Sequence, residues 1–206
     1  MRKIFLSTSL IQEINRDNPT QYVSDDFKLA EAKYLFPVSY IIDNQLEDND
    51  KIVVITGVVQ TKRPKENYEL YKQEIRQLVA KKAIHVELEF IEIKQAVDFD
   101  SSTFNKFFKD IITLIQDDDL IFTDITFGMK CYSLSMFIAL AYVTKAGKNI
   151  NVDTIIYAQK YTGKKNEENI SKIYDITGLF SLNTLASNAQ AGQKEDLDSL
   201  LDFIID

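Results

Sequence analysis

Short apolar runs recur along this chain, and helix-length segments separate them. "KIFLS" (3–7), "KIVVIT" (51–56), "DLIFTD" (119–124) and "NVDTIIYAQK" (151–160) each read as a strand. A strand with no polar face is buried on both sides, and such strands belong to parallel sheets covered by helices. "AIHVELEFIEI" (83–93) is a further strand, and it alone alternates clearly, over its first half. Between the strands, 65–82 is amphipathic, with Tyr68, Tyr71, Ile75, Leu78 and Val79 on one side. Residues 101–116 predict a helix capped by Ser101 or Ser102, and 129–147 a mostly buried helix ended by Gly147. Helical spacing also covers 27–46, where Pro37 bends or starts a segment. The polar stretch before it reads as loop, with room for a small hairpin. The tail offers "KIYDIT" (172–177) and two helices, around 179–190 and 195–205. The expected fold is α/β: a Rossmann-like, mostly parallel sheet with helices on both faces and a C-terminal helical extension. The ligand-binding domain is placed at 1–160, and the extension or linker leading out of it at 161–206.

In open sheets of this kind, ligands bind outside the carboxyl ends of the strands. Those positions hold Ser7, Thr8 and Ser9 after the first strand, Thr56 and Gly57 after the second, and Asp124 to Lys130 after the fourth. The strand at 151–160 ends near Tyr157 to Lys160. At the fourth crossover Gly128 lets a ligand approach the backbone closely. The following helix offers free N–H groups, and Lys130 adds a mobile cation. Together these suit a phosphate or a cluster of phosphates. In the plainer reading, Thr126 and Ser7 cap helices and Gly128 makes a turn; motif chemistry alone leaves the two readings even.

Other chemistries are narrowed by what is present. Neither G-x-x-x-x-G-K-[ST] nor G-x-G-x-x-G occurs, which removes the main support for nucleoside triphosphate hydrolysis and dinucleotide redox. His85 is the single histidine and is read as a structural mid-strand residue, so neither a Ser–His–Asp triad nor a multi-histidine metal site is expected. Glu92 and Lys94 share a strand face, as in the E-x-K of a nuclease core, but no aspartate ends a suitably placed preceding strand. Asp117 to Asp119 read as a solvated turn at the opposite rim. Cys131, the only cysteine, is expected to be buried filler; a lone cysteine gives no disulfide framework and points to a reducing cytoplasm. With 206 residues, 45% of them hydrophobic, the chain can build one substantial core. A net charge of −7 argues against duplex nucleic acid and acidic membranes as partners, while leaving a local basic pocket open. No run approaches the roughly 18 apolar residues of a membrane span.

"DITFGMK" (124–130) resembles the D-x-T-H-G-x-R/K signature of one branch of the CARF family, the CRISPR-associated Rossmann fold domains of type III CRISPR systems. "KIFLSTS" and "KIVVITG" resemble that family's first two strands and the loops after them. "IIYAQK", "IYDITGLFSL" and "AQAGQKEDLDSLL" resemble the stretch leading out of the domain. Phe127 stands where the branch often has histidine, so proton transfer from that position is lost.

The resemblance implies a homodimer whose two strand-end rims form one symmetric pocket. The implied ligand is cyclic oligoadenylate, foremost the tetra-adenylate ring and next the hexa-adenylate, since a two-fold protein suits a ring of even symmetry. It implies no other cofactor and no metal. Ser7, Thr8, Ser9, Thr126, Phe127, Gly128, Met129 and Lys130 carry over as contacts. The helix with Tyr132, Met136, Phe137 and Tyr142 is the expected interface. The function implied is a sensor that controls an effector, either fused beyond this chain or separate. The ribonuclease domain often fused to such sensors needs an arginine shortly before a histidine, and Leu78-Val79-Ala80 lacks it. An alternative is a ring nuclease, in which a ribose 2′-hydroxyl attacks the adjacent phosphate without metal, with Lys130 and Ser9 assisting. An alternative of another class is an unrelated nucleotide-binding α/β protein.

Overall fold

The computed structural model describes residues 1–27, 33–97, 100–160 and 170–188. Its elements are β1 (Arg2–Thr8), β2 (Thr20–Val23), β3 (Lys33–Tyr34), α1 (Pro37–Gln45), β4 (Lys51–Val59), α2 (Lys62–Lys82), β5 (Glu87–Gln95), α3 (Ser101–Leu114), β6 (Leu120–Asp124), α4 (Lys130–Ala146), β7 (Asn151–Lys160), β8 (Ile170–Asp175) and α5 (Thr177–Asn188). The strands form one sheet in the order β3-β2-β8-β7-β6-β1-β4-β5. Within it β7-β6-β1-β4-β5 run parallel. β8 runs antiparallel to β7 and parallel to β2, and β3 closes the far edge antiparallel to β2.

The apolar runs are buried on both sides, as their composition requires. Phe5, Ile52, Val54 and Phe122 pack under α1 and α2. Their neighbours Ile4, Leu6, Val53, Ile55 and Ile121 pack under α3, α4 and α5. This is a doubly wound, Rossmann-like α/β sheet. Among the described residues no helix is long and apolar enough to cross a membrane.

Several local expectations are corrected. Thr56 and Gly57 do not end their strand: β4 continues to Val59, because β5 pairs with it as far as Gln95, past the end of β1. Residues 27–46 are not one helix. β3 interrupts them, and Pro37 starts α1 at its first position, with Phe36 extended before it (φ −126°, ψ 138°). The partner of β2 in its hairpin lies at 33–34, within that same segment. Asp100, not Ser101 or Ser102, caps α3, in a reciprocal capping box with Thr103. His85 precedes β5 in an exposed loop. Asp119 is no solvated turn residue; it is buried, paired with Arg2, and accepts from the Gln116 N–H at 2.7 Å. Cys131 is exposed. β8 lies inside the sheet, between β2 and β7, and Phe180 of α5 joins the core beneath α4. Residues 170–188 therefore share the sheet and core of residues 1–160. The helix expected around 195–205 lies outside the described residues.

Candidate ligand-binding site

After β1 the chain passes through β2 and β3 to α1 on one face of the sheet, and β1's neighbour β6 leads into α4 on the other. The crevice between their carboxyl ends is the topological switch point, where open α/β sheets take ligands. Ser7, Thr8 and Ser9 come from one side of it, and Asp124 to Lys130 from the other.

The 124–130 loop is held from three directions. Asp124 accepts a hydrogen bond from the Thr126 N–H at 2.8 Å. The Thr126 hydroxyl accepts from the Ala158 N–H of β7 at 2.8 Å. The Thr8 hydroxyl of β1 donates to the Phe127 carbonyl. Gly128 then turns the chain with φ +91°, and a Cβ there would collide with the Thr8 side chain. After this turn Met129 begins α4 with no side-chain cap, and Lys130 follows as the first helical residue. The lip Gly128 and Lys130 is exposed, Thr126, Phe127 and Met129 are half-buried, and everything behind them is closed.

What lies behind is acidic. Asp124 is 2 % exposed, and burial pushes its carboxyl up to about 6, against the pull of the Thr126 and Val38 donors. The Val38 N–H belongs to the first turn of α1, whose N-cap, Phe36, supplies no side-chain bond. Glu74 of α2 completes the same cap: it accepts from the Leu35 N–H at 2.6 Å and the Ser39 hydroxyl at 2.5 Å. Burial raises its pKa too. Two carboxyl groups from distant parts of the chain thus satisfy the start of α1. Tyr71 and Tyr22 are held well above the usual phenol range, first by burial and then by the charge of Asp124. An anion entering this layer would meet carboxylates, so the phosphate-compatible surface is the outer lip.

Volume agrees with charge. Ser7, Thr8, Ser9, Thr56 and Asp124 face a void of about 10 Å³, room for about one water and not for a nucleotide. The hydroxyls of Ser9 and Thr56 are buried there without a hydrogen-bond partner. Gly57 lies on the opposite face of β4, against Gln95 and Phe107. Larger hollows flank the switch point. One of about 270 Å³ runs from Thr126 and Phe127 to Tyr22 and the 10–18 loop. Another opens at the end of β5.

The structure thus brings Ser7–Ser9, Thr56 and Asp124 to Lys130 to one place, in two layers. Only Ile125–Lys130 meets solvent, while the others support it. Of the two cleavage candidates, Ser9 is buried and Lys130 is exposed. Glu74 was not legible as part of the site, because in sequence it is one of many polar residues on an amphipathic helix. No protein-family model matches the chain, and no curated protein matches it.

Proposed function

We propose that this chain is a cyclic oligoadenylate sensor of type III CRISPR defence, acting as a homodimer to control an effector, with the tetra-adenylate ring as first candidate. One observation carries the reading: the D-I-T-F-G-M-K loop lies at the switch point, braced by β1 and β7, with Gly128 and Lys130 turned outward before an uncapped helix start. A ring of phosphates needs backbone access, N–H donors and a cation on a surface no deeper than this lip, because the layer beneath is acidic.

A ring held by two lips needs two subunits. α4 exposes Leu134, Ile138 and Tyr142 (60, 50 and 51 %), four residues apart, starting one turn from Lys130. Tyr132 and Met136, by contrast, are spent in the subunit's own core. Two α4 helices packed side by side about a dyad along their axes bring both lips to one end, and the ring sits on that dyad.

Calorimetric titration with rings of three, four and six adenylates tests this. The expected result is tightest binding of an even ring, at one ring per two chains. If no ring binds, the reading fails; if a mononucleotide alone binds at the lip, an unrelated nucleotide-binding protein takes its place.

A further inference from the structure

β7 braces the lip at two points. The Ile125 N–H donates to the Ile156 carbonyl at 3.0 Å, and the Ala158 N–H donates to the Thr126 hydroxyl at 2.8 Å. The side chains of Ile156 and Ala158 are buried on the face of α1 and α2. Alternation along the strand turns Tyr157, between them, to the opposite face, where α4 begins. A strand spacing of about 4.8 Å sets it beside residues 125 and 126. The first turn of α4 reaches the same place, since the Ser133 hydroxyl donates to the Ile125 carbonyl at 3.4 Å.

Tyr157 is 40 % exposed. Among the described residues, the cover of this face stops just short of it. Ile155, two residues earlier, is fully buried. Its N–H donates to the Thr177 hydroxyl at the start of α5, and Phe180 packs against Phe137 of α4. Opposite Tyr157 in β8 stands Tyr174, with the Lys172 ammonium 5.2 Å from its ring centroid. Asp25 pairs with that ammonium, so its charge is already matched. A single tyrosine in water is ordinary. What sets Tyr157 apart is its place, an open aromatic ring beside the loop that exposes Gly128 and Lys130. A nucleotide brings an anionic phosphate and a flat base together, and bases stack on aromatic side chains whatever their identity.

We propose that Tyr157 is a base-stacking residue of the ligand site: in each subunit one adenine of the ring lies against its phenol ring, while the adjoining phosphate meets Gly128 and Lys130. Tyr157 in this role depends on the cyclic oligoadenylate reading and supplies it with a surface that holds a base. Stacking asks nothing of the hydroxyl. Phenylalanine therefore serves as well, whereas leucine, apolar but without a π face, does not.

Cyclic tetra-adenylate is titrated by calorimetry into wild type, Tyr157→Leu and Tyr157→Phe. Tyr157→Leu is expected to weaken binding at least tenfold, because the dimer loses two stacks of about fivefold or more each, and Tyr157→Phe to stay within about twofold. Light scattering should give the same mass for all three. In wild type, irradiation with a tetra-ring carrying 8-azidoadenine should crosslink Tyr157. The role is refuted if Tyr157→Leu binds as wild type does, if Tyr157→Phe loses as much as Tyr157→Leu, or if crosslinks map only to other residues. A Tyr157→Leu chain that has become monomeric refutes it too, by making Tyr157 a subunit contact. In each of those cases the sensor reading stands. If wild type binds no ring, the sensor reading falls and this role falls with it.

Discussion

The hydroxyl of Thr8, the last residue of β1, donates a hydrogen bond to the carbonyl of Phe127 in the loop after β6. The two residues are 119 positions apart in the chain. This bond closes the crevice at the switch point and fixes where the lip begins. The next residue, Gly128, has φ +91° and its Cα faces the same threonine, with the Thr8 Cβ 3.0 Å from where a side chain would start.

Gly128→Ala therefore incurs two costs. The left-handed conformation costs a non-glycine residue about 1–2 kcal/mol, and the collision with Thr8 adds to it. Thr8→Ala removes the hydroxyl contact and leaves only the Cβ at 3.0 Å, so it relieves most of the second cost but none of the first. In urea denaturation Gly128→Ala is expected to destabilise by about 2 kcal/mol or more, and by at least about 0.5 kcal/mol less in a Thr8→Ala background. Strict additivity of the two substitutions would show that the side chains do not meet.

Asp124 makes stability depend on pH with a definite sign. Its folded value, about 6, lies above its ordinary 3.8. Between those values the folded state keeps a proton that the unfolded state has released. The contribution is therefore fully present below about pH 4 and is lost as pH rises through 6, a loss of about 3 kcal/mol for a fully buried group. Glu74, raised by the same burial, acts in the same direction. Asp124→Asn is expected to flatten most of the slope between pH 4 and 7, leaving the share of Glu74. Denaturation midpoints at pH 4.5, 6 and 7.5 decide this; an unchanged slope in the variant would assign the effect elsewhere.

The central strands were legible because Ile52–Ile55 and Ile121–Phe122 have no polar face to turn to water. The switch-point loop was legible because Asp124, Thr126, Gly128 and Lys130 stand together between a buried strand and an apolar helix. Thr56 and Gly57 misled because a hydroxyl and a glycine in mid-strand look like a turn, while in the sheet both β1 and β5 pair with them. Asp100 was missed because four cap-forming residues, Asp100 to Thr103, stand in a row, and hydrogen-bond geometry, not residue type, chooses among them. The depth of the site was not legible either. Nothing in "STS" tells that all three residues are buried, or that Asp124 and Glu74 meet at the start of a helix that precedes both in sequence.

In the proposed sensor, Lys130 is the cation that the lip offers to a phosphate. A charge-assisted hydrogen bond is worth about 1.5–3 kcal/mol, and a dimer carries two. Lys130→Ala is expected to weaken ring binding at least tenfold. Lys81 is an exposed control in the last turn of α2, at the edge where the strands begin; Lys81→Ala should bind as wild type does. Equal affinities for all three proteins, measured by calorimetry, would remove Lys130 from the site.

The exposed stripe on α4 gives the last prediction. Leu134, Ile138 and Tyr142 are at least half exposed in the single subunit, so replacing one of them leaves the core intact. A charge buried at a two-fold contact has no partner, because symmetry places the same charge near it. Ile138→Asp is therefore expected to separate the subunits without unfolding them. Light scattering should give about twice 23.7 kDa for the wild type and about 23.7 kDa for the variant, with unchanged circular dichroism. Ring affinity should fall with dimerisation, since each lip then holds only half of its ligand. A variant that is monomeric yet binds the ring as tightly as wild type would place the whole site within one subunit and end the proposal of a pocket on the dyad.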